Sequence, residues 1–173
     1  MKVILFMAIS LNGIIARENN EEDFLSEINW TSMVSLAKKF RCIIWGRRTH
    51  EVVKTWDQHY HDDLKDIRKI VISKDVNFNT GRDYILVDSP KEALDLLKKE
   101  RFENALLSGG SGLNASFAKE KLIDEIILNI EPVLIGAGIP IFKLEGFEDV
   151  RLELIDMKKL EENIVQLRYK VLK

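Results

Sequence analysis

An apolar run, Ala105, Leu106 and Leu107, breaks into Ser108-Gly109-Gly110-Ser111-Gly112 and then into the helical pattern begun by Leu113 and Asn114. That order spells strand, tight loop and helix, the unit of a sheet whose strands are covered by helices. Three glycines in four positions remove the Cβ atoms that would hold a ligand away. Backbone N–H groups at the helix start can therefore approach an anion, a phosphate above all. Glycines at a turn that only needs positive φ look the same, so the loop alone leaves both readings open.

The same rhythm runs through the chain. Residues 3–9 are uniformly apolar and too short for an amphipathic helix, which predicts a strand buried on both faces at the centre of the sheet. Ser10-Leu11-Asn12-Gly13 turns the chain, and Ile14, Ile15 and Ala16 form a small apolar patch beyond it. The acidic segment 19–23 reads as a solvated loop without a role. Trp30-Thr31-Ser32 opens a helix with Met33, Leu36, Ala37 and Phe40 on its inner face. Residues 42–45 form the next strand, and Gly46-Arg47-Arg48-Thr49 breaks it before a helix that starts near His50, with Thr49 as its cap. Two guanidiniums beside exposed N–H groups make a second anion site, since arginine binds phosphate bidentately at any relevant pH. His50 itself reads as a helix-surface residue.

His59, His61, Asp62 and Asp63 lie in a polar, breaker-rich linker with no further His or Cys placed to complete a shell, and they predict a wet loop and no metal. Residues 68–73 are a strand ending in Ser73-Lys74, a third phosphate or ribose contact. Residues 84–87 are a strand, and Ser89-Pro90 opens a helix. The helix after the glycine loop runs through Ala115, Phe117, Ala118 and Leu122. Residues 125–130 are a strand, a Gly/Pro-rich connection spans 131–146, and alternating stretches at 150–157 and 164–172 follow without a helix between them. The expectation is a single α/β domain over residues 1–173: three layers, α/β/α, with a mixed, mostly parallel sheet that ends in antiparallel strands.

Composition narrows the function. With 26 basic against 28 acidic residues the net charge is −2, which argues against nucleic acid or a membrane surface as partner. One cysteine, Cys42, lies within an apolar run. It is expected to be a buried thiol in a reducing cytoplasm, and no cleavable leader or spanning segment is apparent. Gly110-Ser111-Gly112-Leu113-Asn114-Ala115 matches the dinucleotide fingerprint, with Glu131 about where its ribose-binding acid belongs. That fingerprint belongs to the first βαβ unit of a doubly wound sheet, so here the match is read as right about phosphate and wrong about topology. Three anion-binding loops at strand ends suit a dinucleotide carrying a third phosphate.

Residues 9–16, the Trp45-Gly46-Arg47-Arg48-Thr49 turn, Leu107-Ser108-Gly109-Gly110-Ser111-Gly112-Leu113, and residues 122–125 leading into 132–142 resemble the dihydrofolate reductase superfamily. Their order is most similar to its branch containing the reductase domain of riboflavin biosynthesis. The resemblance implies an NADPH-dependent reductase acting on a small-molecule substrate. Gly46, Arg47, Arg48, Thr49, Ser73 and Lys74 would then lie near the 2′-phosphate and pyrophosphate. Ser108, Gly109, Gly110, Ser111, Gly112 and Leu113 would lie under the cofactor bridge, and Ala8 and Ile15 along the nicotinamide. Substrate would sit near Asn12, Trp30, Thr31 and Ser32, with a riboflavin-type pyrimidine as the leading guess. Dihydrofolate reductases carry a carboxylate on the first helix, and residues around 30–33 offer none. The riboflavin reductase shows Asp where this chain has Asn12 and Glu where it has Ser108, so its substrate recognition is expected to differ. No side-chain acid stands out, and water is the expected proton source. The terminal strands and the apolar 136–142 loop are expected to cover a homodimer seam.

Overall fold

Val3, Ile4, Leu5 and Phe6 are each no more than 2 % exposed, as a strand covered on both faces requires. They belong to β1 (Lys2–Ser10) of the computed structural model, which describes residues 1–143 and 148–173. Val3 and Leu5 point into one core, Ile4 and Phe6 into another. The first core packs under α4 (Pro90–Lys99) and α5 (Ser111–Lys119), through Ala93, Leu94, Leu97, Phe117 and Ala118. The second packs under α1 (Glu27–Phe40) and α2 (Arg47–Val53), through Met33, Val34, Ala37 and Val53. The result is the expected three-layer arrangement.

The remaining strands are β2 (Ile14–Ala16), β3 (Cys42–Gly46), β4 (Arg68–Ile72), β5 (Tyr84–Val87), β6 (Asn104–Leu107), β7 (Glu125–Glu131), β8 (Ile139–Pro140), β9 (Arg151–Lys159) and β10 (Val165–Leu172). The main sheet has the order β5-β4-β3-β6-β1-β7-β10-β9. β1 pairs in parallel with β6 (Leu5 opposite Leu107) and with β7 (Leu5 opposite Ile126). β3, β4 and β5 continue the parallel set, while β10 pairs antiparallel with both β7 and β9. Only β10 runs against the others in this sheet. β9 forms the edge and exposes Leu152, Leu154, Ile155 and Met157. No helix among the described residues is long and apolar enough to cross a membrane.

Several local expectations change. α1 opens at Glu27 after Ser26, one turn before Trp30. α2 opens at Arg47 with Gly46 as its N-cap, so Thr49 lies inside the helix instead of capping it. Extended backbone at Gly46 (φ −81°, ψ 162°) lets the helix start at once. The His-rich linker folds as α3 (Gln58–Asp63), not as a loop, and no metal-binding cluster occurs among the described residues. Leu122 lies beyond α5, because Lys121 adopts φ +55° and the Leu122 N–H bonds back to Phe117 O at 2.9 Å, which ends the helix. The 131–146 connection contains β8, which pairs with β2 in a second small sheet; its end, from residue 144, lies outside the described residues. Cys42 is fully buried, with its thiol pushed up to about 11 by that burial.

His50 is the clearest correction, for it is 0 % exposed and not on a surface. Its Nε2–H donates to Thr80 O at 3.0 Å and its ring stands edge-on to Tyr84 and Phe78. Nδ1 is buried without a partner. Burial holds the imidazole pKa below its ordinary value, so the unfolded chain binds the proton more readily than the folded one. Stability from this site is therefore complete above the ordinary histidine range, about 6.5, and is lost as pH falls towards the lowered folded value. His50→Gln keeps a donor for Thr80 O and does not titrate. It is expected to flatten the fall of the urea midpoint between pH 7 and 5; an unchanged slope would assign the acid sensitivity elsewhere.

Candidate active site

The glycine loop, the arginine turn and the Ser73-Lys74 turn lie side by side because the strands they leave are neighbours. β3 lies between β4 and β6, with Gly46 opposite Ile72 and Ile44 opposite Leu107. The Gly46 N–H donates to Gly109 O at 2.9 Å, and the Ser108 N–H donates to Ile44 O at 3.0 Å. A methyl at Gly46 would lie 3.5 Å from Leu113 Cβ, one at Gly109 3.3 Å from the Met7 sulfur, and one at Gly110 3.2 Å from Thr49 Oγ1. Gly109 also has φ +85°, a conformation that favours glycine. Gly109 thus meets the positive-φ reading, while the tight approaches at Gly46, Gly109 and Gly110 are to the side chains of Leu113, Met7 and Thr49.

α5 begins at Ser111 with no side-chain cap, and the Ser111, Gly112 and Leu113 N–H groups have no partner among the described residues, as a helix-start anion site requires. Arg47 and Arg48 are both exposed. Arg47 stands 3.8 Å from Asp75 and 3.9 Å from Glu51, over the Phe78 ring. Arg48 and Lys74 have no hydrogen-bond or ion-pair partner among the described residues. Ser73 is buried, and its Oγ accepts the Asp75 N–H at 3.1 Å. Uncapped amides at one crossover and an unpaired guanidinium at the neighbouring one are donor types that fit a phosphate-bearing dinucleotide.

A cavity of about 320 Å³ connects this loop to β1 and α1. Ser108, Gly109, Gly110, Thr49, Ala8 and Ile15 line one side, and Trp30, Trp56 and Tyr60 line the other. The three aromatics brace one another: Trp30 meets Trp56 edge-on at 5.3 Å and Tyr60 at 4.8 Å. The Trp30 Nε1–H donates to Asp63 at 2.8 Å, which fixes the indole between α1 and α3. Of the expected substrate residues, Trp30 lines the cavity, whereas Asn12, Thr31 and Ser32 do not. The Asn12 amide bonds Ile135 in both directions, donating to its O at 2.7 Å and accepting from its N–H at 3.1 Å. Thr31 Oγ1 donates to Glu27 O at 3.4 Å.

Two groups were not legible in the sequence. Glu22 lines the cavity from the acidic loop. Arg17 clamps that loop through its pair with Asp23 at 2.6 Å and its N–H to Glu21 O at 2.8 Å. The Glu22 carboxyl has no partner among the described residues. Water reaches it, as on any cleft wall, yet the surrounding protein raises its pKa to about 7 by desolvation. It is therefore only partly ionised near neutrality, although the side chain is exposed to solvent at the cavity mouth. Glu131, 3 % exposed, accepts Ser26 N–H at 2.7 Å, Ser26 O–H at 3.0 Å and the Asn29 amide at 2.5 Å. It anchors the start of α1 and is no ribose ligand. Asn29 continues the network by accepting from Asn129, which accepts from Gln166.

Comparison with known proteins agrees with this architecture. The RibD C-terminal domain family matches residues 1–166. YwjB of Bacillus subtilis, itself uncharacterised, is 30% identical over 171 residues, 97% of each chain. A pyrimidine reductase-like protein of Corynebacterium diphtheriae superposes with a TM-score of 0.79 at 16% identity, covering 99% of this chain and 92% of the other. A Thermotoga maritima diaminohydroxyphosphoribosylaminopyrimidine deaminase/5-amino-6-(5-phosphoribosylamino)uracil reductase gives 0.75 at 14% identity, with this chain spanning 56% of it.

Proposed function

Because the chain belongs to the RibD C-terminal domain family, we propose that it is an NADPH-dependent reductase that delivers hydride to a small pyrimidine- or pterin-type ring. The observation that carries this reading is one cavity lined by both the glycine loop and the Trp30, Trp56 and Tyr60 rings. Bound NADPH supplies the hydride. The amides of Ser111, Gly112 and Leu113 and the Arg47 and Arg48 guanidiniums would hold its phosphates, and Gly109 and Gly110 would let the bridge lie against backbone. Ala8 and Ile15 form the apolar wall against the reacting ring and exclude water from it. The Trp30, Trp56 and Tyr60 cluster would supply the apolar faces on which an acceptor ring could stack and be oriented. Glu22 holds the proton that the reduced ring takes up. The uracil reductase named for the Thermotoga protein supplies the leading ring chemistry.

Titrating NADPH and NADH by tryptophan fluorescence tests the cofactor side. NADPH is expected to bind at least tenfold more tightly, and Arg48→Ala to remove most of that preference while leaving NADH binding unchanged. Equal binding of the two dinucleotides by the native chain would overturn the arginine assignment. Binding of NADPH without its oxidation by any ring substrate would leave a nucleotide-binding module in place of an enzyme.

A further inference from the structure

The wall of the cavity facing the glycine loop is aromatic and acidic. Glu22 and Glu27 both line the cavity, Glu27 beside Tyr60, and no Lys, Arg or His among the described residues does; residues 144–147 contain none either. Of the basic groups near this end, Arg17 is paired with Asp23 at 2.6 Å and Lys38 lies 4.0 Å from Asp63, while His59 packs on the Tyr60 ring at 3.8 Å from outside the lining. Tyr60 senses the resulting potential. Its hydroxyl lies 3.5 Å from Glu27 Oε2, and the charge of Glu27 raises its pKa above the ordinary phenol value.

Above pH 7, where Glu22 has lost its proton, a phosphate dianion in this cavity would face the carboxylates of Glu22 and Glu27 with no basic residue in the lining, and like charges repel. An amino-substituted heterocycle without phosphate meets the opposite conditions. Its N–H groups can donate to the carboxylates and its face can stack on the indoles, the more favourably if the ring is cationic.

Resting on the reductase reading above, we infer that the pocket takes an unphosphorylated, neutral or cationic amino-heterocycle and rejects its phosphoribosyl form. Glu22 and Glu27 are the residues that set this choice. The substrate is thus supplied by a reaction that removes phosphate or never adds it.

The test is calorimetric binding of 5-amino-6-(ribosylamino)uracil and of its 5′-phosphate to the full chain at pH 8, with and without saturating NADP+. The nucleoside is expected to bind at least tenfold more tightly. The E22Q/E27Q double variant is expected to narrow that ratio at least threefold by improving binding of the phosphate. If the variant does not fold, raising salt from about 0.05 to 0.5 M is expected to narrow the ratio in the native chain, because screening weakens the repulsion. Equal or tighter binding of the phosphate, or failure of both compounds to bind, overturns the inference. A chain that keeps the ring preference but does not bind NADP+ overturns the reductase reading alone.

Discussion

Replacing Glu131 with alanine is expected to remove about 3 kcal/mol of stability, the cost of leaving buried donors without an acceptor at about 1–3 kcal/mol each. The affected donors are the Ser26 N–H, the Ser26 hydroxyl and the Asn29 amide. The hydroxyl can turn to another acceptor, so the estimate counts chiefly the other two. The carboxylate also sits at the N-terminus of α1, where negative charge is favourable. Because Asn29, Trp30 and Met33 line the cavity from this helix, loosening its start displaces the substrate wall as well. Glu131→Gln separates the two effects. Its carbonyl oxygen can keep the bonds that now reach Oε1, and its amide can donate to Ser26 Oγ. The glutamine variant is therefore expected to recover most of the urea midpoint and of KM, while the alanine variant raises KM more than it lowers kcat. Equal losses in both variants would mean that the negative charge matters and the hydrogen-bond geometry does not.

What could be foreseen follows from which interactions are local. The central place of β1 follows from an uninterrupted apolar run, and the start of α4 from Ser89-Pro90, whose Oγ accepts the Glu92 N–H at 3.4 Å. The neighbouring crossovers follow from the repeated strand-loop-helix order, since parallel units leave their loops at one end of the sheet. Contacts between distant segments carry no such signal. Glu22 reads as solvated because its neighbours in sequence are polar, and its place on the cavity lining depends on the fold of the loop that Arg17 ties to Asp23 and Glu21. Trp56 and Tyr60 join Trp30 because α3 folds where the breakers suggest a loop. His50 shows the same limit: a polar residue among exposed arginines is buried because the segment at Thr80 crosses over it.

Glu22→Gln is expected to lower kcat about a hundredfold, the low end of what a positioned acid contributes. The sign of the pH effect follows from the carboxyl's pKa of about 7, raised by desolvation. An acid must carry its proton to give it away, so turnover of the native chain should fall as pH rises through about 7, and this limb should vanish in the variant. Stability should move the other way. Between the ordinary carboxylate range and pH 7 the folded state binds more proton than the unfolded one, so the native chain loses stability as pH rises across that window. Glutamine carries no charge to desolvate, and the variant should be more stable than the native chain at pH 8. A gain in stability with a loss of turnover is the signature of a residue kept for chemistry at a cost to the fold. If turnover is flat from pH 6 to 8 and unchanged by the substitution, the proton comes from water, and Glu22 acts only through its charge on the cavity wall.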